Sequence, residues 1–218
     1  MHTGRMSGRR ARLPREVAVA PRRRSEMVED TRARLVASAR RAFAAKGYAA
    51  ASMDELTAEA GLTRGALYHN FGGKEGLLRA VIEQIDAEML ERMAAARDRA
   101  GSLWQGLLDE SVAYIEMALE PEIQRIMLLD GPAVLGDPSR WPNQLACLRA
   151  TEQTVEALVA EGTVAPVDPE AAARLLNGAA LNAALWVASA EDPDRVLPSA
   201  VDAFRRLVGG LLADERAG

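Results

Sequence analysis

The chain is 218 residues long, 49% hydrophobic and 27% charged, with a single cysteine. This composition excludes a chain that is disordered throughout, and Cys147 alone can form neither an intrachain disulfide nor a cysteine-based zinc site. The longest apolar run, residues 175–190, is shorter than the ~20 residues that a membrane-spanning helix needs. We therefore expect no membrane partner.

The net charge of −4 is unevenly distributed. Residues 1–79 contain 16 Lys and Arg against 8 Asp and Glu, whereas residues 80–218 contain 11 against 23. A basic module joined to an acidic body is typical of a nucleic-acid-binding domain fused to a second domain. Much of the basic excess lies in residues 1–25, however, so the charge alone does not establish this interpretation.

Residues 1–25 are rich in arginine and poor in apolar side chains, so we expect a disordered leader. The apolar run at residues 17–20 is too short for the core of a secretory signal, which needs ~7–15 residues. Two interpretations stay open. The leader is either an arm that contacts DNA or an inert segment ahead of the true start, for which Met27 is a candidate.

Apolar residues recur at helical spacing from residue 30 onward, and no alternating run of β-branched residues predicts a strand. The spacing predicts helices over 30–46, 52–60, 63–70 and 74–97. Ser52 with Glu55 forms a capping box at the start of the second helix.

Proline and glycine breakers divide the remainder of the chain. Helices are expected near 102–119, 122–129, 143–161, 169–190 and 195–213. The predicted fold class is therefore all-α, with about nine helices in total.

The most informative stretch is residues 52–78. Two short helices meet at Gly61, which is the arrangement of a helix-turn-helix. Leu56 and Leu67 are expected to pack against Phe43 of the first helix. The second short helix then faces outward, where its polar side chains can enter a major groove.

Residues 30–80 resemble the TetR/AcrR family of bacterial transcriptional regulators. The resemblance rests on Ala42-Phe43, Lys46-Gly47-Tyr48, Ser52-Met53-Asp54-Glu55-Leu56, Ala60-Gly61-Leu62-Thr63, Gly65-Ala66-Leu67-Tyr68-His69-Asn70-Phe71 and Lys74-Glu75-Gly76-Leu77-Leu78. It implies an N-terminal three-helix helix-turn-helix DNA-binding domain, residues 26–73, followed by a larger helical ligand-binding and dimerisation domain, residues 74–218. Thr57 and Asn70 depart from the residues common in the family, and the second departure bears on base preference.

The same resemblance implies which residues contact double-stranded DNA. Phosphate contacts are expected from Ser52, Thr63, Tyr68, His69 and Lys74, base contacts from Arg64, Gly65 and Ala66, and a further polar contact from Asn70. Arg64 can donate two hydrogen bonds to one guanine, a pair that contributes ~1–3 kcal/mol of discrimination. The alternatives are that Ser52 only caps its helix and that His69 is an ordinary surface residue.

The acidic body lacks a recognisable catalytic constellation. The only histidines are His2 and His69, and no glycine-rich phosphate-binding motif occurs. We therefore predict that the protein is not an enzyme and that it has no cofactor and no metal site.

The resemblance further implies an effector pocket and a homodimer interface in the body. Candidate pocket residues are flexible or flat apolar side chains: Met89, Met93, Trp104, Leu108, Tyr114, Met117, Met127 and Trp141. Candidate interface residues lie on the last two helices: Leu175, Ala179, Ala183, Trp186, Val201, Phe204 and Val208. Ordinary core packing is the alternative for each residue of both sets.

These features together predict a cytoplasmic, sequence-specific transcriptional regulator that binds a palindromic DNA operator as a homodimer. An apolar or amphipathic small molecule is expected to release it. The alternative is a helical protein that binds a small molecule and whose helix-turn-helix no longer reads DNA, and a cofactor-free enzyme is a more remote one.

Overall fold

The computed structural model describes residues 19–213, with side chains from residue 25 onward. This part of the chain contains nine α-helices: α1 Val19–Lys46, α2 Met53–Glu59, α3 Arg64–Phe71, α4 Lys74–Asp98, α5 Leu103–Glu116, α6 Gly131–Leu135, α7 Pro142–Ala160, α8 Pro169–Ser189 and α9 Pro193–Gly209. Two 3-10 turns, Met117–Leu119 and Pro138–Arg140, and a π-helical segment, Ile123–Asp130, connect α5 to α7. The all-α prediction is confirmed.

Helices α1 to α3, which we call the head, pack around a small apolar core. Leu35 and Phe43 of α1, Leu56 of α2 and Leu67 of α3 are all completely buried. Each such side chain contributes about 1.5–3 kcal/mol through removal of apolar surface from water. The predicted packing of Leu56 and Leu67 against the first helix is confirmed.

Helix α1 begins at Val19, inside the leader predicted to be disordered through residue 25. That boundary was wrong for residues 19–25, while the rest of the predicted leader lies outside the described residues. The segment contains alanine and three arginines, which have high intrinsic helix propensity. A helix that nucleates on the buried face of α1 can therefore propagate through residues that have no apolar periodicity.

The two short helices of the head begin with side-chain caps. The Ser52 hydroxyl oxygen accepts a hydrogen bond from the Glu55 backbone N–H at 3.1 Å, and the Thr63 hydroxyl oxygen accepts one from the Ala66 N–H at 3.2 Å. Hydrogen bonds from Lys46 and from the Ser52 backbone lower the pKa of Glu55. The reciprocal capping box that the sequence predicts is therefore formed.

Helices α4 to α9, with the connecting segments, form the body. Helix α4 packs along α5, and α8 packs against α5, α7 and α9. Helix α4 belongs to both cores, because its first turns bury Leu77 and Leu78 beside the head while Ile85 and Met89 lie in the body. The head is therefore joined to the body by one continuous helix.

The segment predicted as an α-helix over 122–129 is π-helical from Ile123 to Asp130. The Gly131 N–H donates to the Ile126 carbonyl, five residues back. Pro132 follows, and its ring would clash with the carbonyl of residue 128 in a regular α-helix. The wider π turn avoids that clash, and such turns occur frequently at functional sites.

Candidate nucleic-acid interface and body cavity

Helix α3 is held by its inner face and presents its outer face to solvent. Leu67 is completely buried, whereas Arg64, Gly65, Tyr68 and His69 are exposed. A short helix anchored in this way can enter a groove without loss of core packing. The outward orientation predicted for this helix is confirmed.

Arg64 is bound by a carboxylate of the neighbouring helix. Its Nη2 donates to Oδ2 of Asp54 at 2.6 Å, and its Nε donates to Oδ1. Both side chains are more than half exposed, so the ion pair contributes at most about 1 kcal/mol. Arg64 can therefore exchange Asp54 for another forked acceptor at little cost. Sequence reasoning missed Asp54 as its partner, because only the fold brings these residues together.

Gly65 is not required by the packing of the head. A Cβ atom built at this position meets only the Thr63 hydroxyl oxygen, at 3.7 Å. Ala66, next to it, is partly exposed. The absence of larger side chains here leaves the start of α3 accessible to a close partner.

Asn70 already takes part in hydrogen bonds within the protein. Its side-chain Nδ2 donates to the Ala66 backbone carbonyl at 2.8 Å. The backbone carbonyl of Asn70 accepts a hydrogen bond from Arg32 at 2.7 Å. The Arg32 guanidinium also lies 4.5 Å above the centroid of the Phe71 ring. Arg32, which sequence reasoning counted only as a charge, thus fixes the end of α3 from α1.

Lys74 and Tyr68, two further predicted DNA contacts, lie near the start of α2 and the loop that precedes it. Lys74 Nζ donates to the Ala49 carbonyl at 3.4 Å and lies 4.4 Å from the centroid of the Tyr48 ring, and burial lowers the pKa of Lys74. The Tyr68 hydroxyl is 3.9 Å from Met53 Sδ. The starts of α2 and α4 therefore flank the exposed face of α3. Contact with DNA at the nine predicted residues stays a prediction.

A cavity of about 170 Å³ lies in the body between α4, α5, α7 and α8, and a second one of about 120 Å³ adjoins it. The two share Met89, Tyr114, Gln144 and Leu181 as wall residues. The predicted pocket residues found on these walls are Met89, Met93, Tyr114, Met127 and Trp141.

Three of the predicted pocket residues lie elsewhere. Trp104 and Leu108 pack against the apolar core outside both cavities, and Met117 is buried beside a separate surface depression. The reason is the rotation of α5, which turns Glu110, Ser111 and Tyr114 toward the larger cavity. A list of large apolar residues does not specify that rotation.

The cavity wall also carries polar groups that sequence reasoning missed. Asp86 of α4, Glu110 of α5 and Cys147 of α7 line it, and Thr151 donates to Asn177 at 3.2 Å. Burial raises the pKa of Asp86, of Glu110, of Tyr114 and of Cys147. A signal for Asp86 was available, because it occupies a position of helix α4 between the apolar residues 82, 85 and 89.

The π-helical segment contacts the head through Arg125 and through Asp130, its last residue. Asp130 Oδ2 accepts a hydrogen bond from the Tyr48 backbone N–H at 2.7 Å. Arg125 donates to the Lys46 carbonyl at 3.2 Å, and a Cβ at Gly47, whose φ is +80°, would lie 2.5 Å from the Arg125 guanidinium. The end of α1 is therefore fitted closely against the segment.

Arg40 adds a second connection between head and body. Its guanidinium donates to Glu88 of α4 at 2.6 and 2.7 Å and to Glu122 at 2.7 and 2.8 Å. The hydrogen bonds with Glu122 and Glu88 raise the pKa of Arg40. Hydrogen bonds to charged groups are worth ~1.5–3 kcal/mol each, so Arg40 fixes the head on the body.

The apolar residues of α8 and α9 divide between the core and the surface. Leu175 is 75% exposed and Trp186 is 51% exposed, while Ala179, Ala183 and Val201 are partly exposed. The prediction was wrong for Phe204 and Val208, which are 4% and 3% exposed and pack in the core of the chain itself. The most apolar face of α9 packs in the core of its own chain, so it is not available to a partner. Sequence reasoning missed Leu207, which is 68% exposed.

No helix within residues 19–213 is long and apolar enough to cross a membrane. The fold and the site together define a helix-turn-helix protein whose head is joined through α4 to a helical body that contains a cavity.

Comparisons with known proteins agree with this class. Residues 35–81 match the family model described as bacterial regulatory proteins of the tetR family. Residues 104–211 match that of the tetracyclin repressor-like C-terminal domain.

A TetR-family transcriptional regulator of known structure from Pectobacterium atrosepticum is 49% identical, with a TM-score of 0.78, over 88% of this chain and 98% of that one. The transcriptional repressor AcnR of Corynebacterium glutamicum is 31% identical over 46% of this chain and 53% of its own, so the chain spans about half of that relative. The TetC protein of transposon Tn10 from Escherichia coli is 28% identical over 70% of this chain and 78% of its own. The chain belongs to the TetR family, and it is a DNA-binding transcriptional regulator.

Proposed function

We propose that the protein is a homodimeric repressor that binds a near-palindromic operator through α3 and is released when a small molecule occupies the body cavity. The observation that carries the proposal is the orientation of α3, which is anchored by the fully buried Leu67 and turns Arg64, Gly65, Tyr68 and His69 to solvent. The head, residues 26–73, would read DNA, and residues 74–218 would bind the effector and dimerise. Such a regulator acts in the bacterial cytoplasm, on the nucleoid.

Arg64 is the proposed base-reading residue. Its guanidinium already donates two hydrogen bonds to the forked carboxylate of Asp54, and guanine offers a similar pair of acceptors in the major groove. Gly65 and Ala66 would allow the backbone to approach the bases. Ser52, Thr63, Tyr68, His69 and Lys74 would contact phosphates, and these contacts supply most of the salt-dependent affinity.

The dimer would form through exposed apolar side chains of α8 and α9. Leu175, Trp186 and Leu207 are all more than half exposed in the single chain, which leaves apolar surface in contact with water. A second copy related by a two-fold axis would cover this surface. Dimerisation is also required on geometric grounds, because two copies of α3 must reach half-sites about 34–36 Å apart.

Ligand release would use two physical connections between the cavity and the head. Helix α4 carries Lys74 at its first residue and Asp86, Met89 and Met93 on the cavity wall, so a tilt of α4 moves both. Trp141 of the smaller cavity lies against Gly131, where a Cβ atom would approach the Trp141 ring to 3.0 Å, and the adjacent Asp130 accepts the hydrogen bond from Tyr48. A ligand that prefers a shifted arrangement of these elements would lower DNA affinity by population shift.

A binding titration against the DNA upstream of the gene tests the function. At physiological salt, we expect the full-length protein to bind at nanomolar concentration with two protomers per site. The Lys74→Ala variant should weaken binding to all sequences and reduce the slope of log affinity against log salt by about one. Absence of binding to this DNA and to every sequence of a random pool would favour the alternative, a small-molecule-binding protein that no longer reads DNA.

A further inference from the structure

The larger body cavity contains a carboxylate in an unusual position. Asp86 is only 4% exposed, and it lines the cavity together with Met89 and Met93 of the same helix. An ionised carboxylate in such surroundings is costly unless a partner compensates its charge. Burial indeed raises the pKa of Asp86, although hydrogen bonds from Asn143 and Gln144 oppose this effect.

The other charged groups on the wall of this cavity are paired. Glu110 accepts a hydrogen bond from Arg97 at 3.3 Å, and Arg174 donates to Glu170 at 2.8 Å. Asp86 takes part in no ion pair with any residue of the described part of the chain. Asp86 is thus the one charged residue of this wall that has no ion-pair partner within residues 25–213.

A polar group without a hydrogen-bond partner lies on the wall of the adjoining cavity. The indole Nε1 of Trp141 is buried and has no hydrogen-bond partner among the described residues. Buried polar atoms without partners are rare in native proteins and call for a specific explanation. A buried donor without a partner on one wall and a buried carboxylate without an ion-pair partner on the adjoining wall indicate a site that can hold a polar guest.

The dimensions of the space suit a small molecule. The larger cavity, about 170 Å³, is close to the ~150 Å³ of an engineered apolar cavity that takes up benzene. Met89, Tyr114 and Leu181 line both cavities, so the smaller one, about 120 Å³, can receive a short extension of the same ligand. One ring and a short chain match this volume.

We propose that the cavity binds a small amphipathic amine, with its protonated nitrogen on the Asp86 carboxylate and its apolar part against Met89, Met93 and Tyr114. This inference rests on the proposed function in taking the cavity as the effector site. An ammonium group compensates the charge of Asp86 and donates hydrogen bonds to it. An anionic ligand is repelled by Asp86, and a neutral one leaves the Asp86 charge buried without a counter-ion.

The test is a calorimetric titration of the full-length protein with three compounds of matched shape. The probes are 2-phenylethylamine, which is cationic at neutral pH, 2-phenylethanol, which is neutral, and phenylacetate, which is anionic. We expect the amine to bind at least tenfold more tightly than the alcohol, and phenylacetate to bind more weakly than both. Equal or tighter binding of the alcohol or of phenylacetate overturns the proposal, as does failure of the amine to bind at millimolar concentration.

Two variants test whether a preference for the amine depends on Asp86. Asp86→Asn keeps the size of the side chain and removes its charge, so it should reduce affinity for 2-phenylethylamine at least tenfold and leave that for 2-phenylethanol within twofold. Glu91→Gln is the matched control, because Glu91 is an exposed carboxylate of the same helix. Unchanged amine affinity in Asp86→Asn, or an equal loss in Glu91→Gln, contradicts the assignment to Asp86.

The proposed ligand class and the proposed function can be tested independently of each other. Calorimetry reports binding to the cavity without DNA, whereas the titration with upstream DNA reports reading by the head without ligand. A preference for the amine in a protein that fails to bind DNA would overturn only the proposed repressor. Operator binding in a protein that does not prefer the amine would overturn only the proposed ligand class.

Discussion

The head and the body arrange polar side chains in opposite ways. In the head, Leu67 fills the core while Arg64, Tyr68 and His69 of the same helix face solvent. In the body, Asp86 of α4 is buried and lines a cavity together with the apolar side chains of Met89 and Met93. Functional residues on a surface cost the fold little, whereas a functional carboxylate inside a core reduces stability until its partner arrives.

The largest effect on stability is expected where the head depends on its core. Leu67→Ala removes a completely buried side chain and should lower the free energy of unfolding by about 3 kcal/mol. Urea denaturation measures this change, and DNA binding should be lost in parallel because α3 is no longer anchored. Leu145→Ala is the control at a 43% exposed position and should cost less than about 1 kcal/mol. Similar losses in both variants would refute the proposed anchor.

Arg64→Ala should separate reading from stability. The exposed pair with Asp54 contributes little to the fold, so unfolding should change by less than about 1 kcal/mol. Discrimination at one base pair of each half-site should fall by about 1–3 kcal/mol, as measured by competition between operator variants. Arg206→Ala removes an arginine from a comparable exposed pair with Asp202 and should change neither quantity. Retained discrimination in Arg64→Ala would show that another residue reads the base.

An intermediate effect on local stability is expected at the hydrogen bond between Asp130 and Tyr48, which connects the body to the head. Asp130→Ala removes the acceptor of the Tyr48 N–H and should cost about 1 kcal/mol locally. Hydrogen exchange of the Tyr48 amide should then accelerate severalfold. Asp137→Ala, at an exposed site that is not in contact with the head, is the control. Unchanged exchange at Tyr48 would mean that Asp130 does not hold the head.

The smallest effect concerns Asp86 without ligand, and its sign is unusual. Because burial raises the pKa of this carboxyl in the folded state, its ionisation opposes folding at neutral pH. Asp86→Asn should therefore raise the melting temperature at pH 7 by about 2–4 °C, the shift that corresponds to ~1 kcal/mol in a chain of this size. The gain should shrink as pH falls and Asp86 in the wild type becomes protonated. A lower melting temperature at pH 7 would mean that the charge is already compensated in the free protein.

The head could be predicted closely from the sequence because its signals are local. Ser52 and Thr63 cap their helices within three residues, and Gly61 separates α2 from α3. The start of α1 was missed because helix propensity extended the helix beyond its apolar face. The ion pair between Arg64 and Asp54 depends on the packing of α2 against α3, and spacing along the chain does not reveal it.

The body was less predictable because its site depends on helix rotation. Met89, Met93 and Tyr114 were found from their size, but Trp104 and Leu108 turn away from the cavities. Phe204 and Val208 were assigned to the wrong surface, since an apolar stripe serves the core of its own chain before any partner. Asp86 was missed because a search for apolar periodicity passes over a polar residue at an apolar position.

Selection of DNA from a random pool by the full-length protein tests the central claim most directly, namely that a dimer reads DNA through α3. We predict enrichment of two inverted half-sites whose centres lie about 10 base pairs apart, or a multiple of that distance. The same selection with Arg64→Ala should relax one position in each half-site. Failure to enrich any sequence, or enrichment of an identical sequence by the variant, would contradict the account.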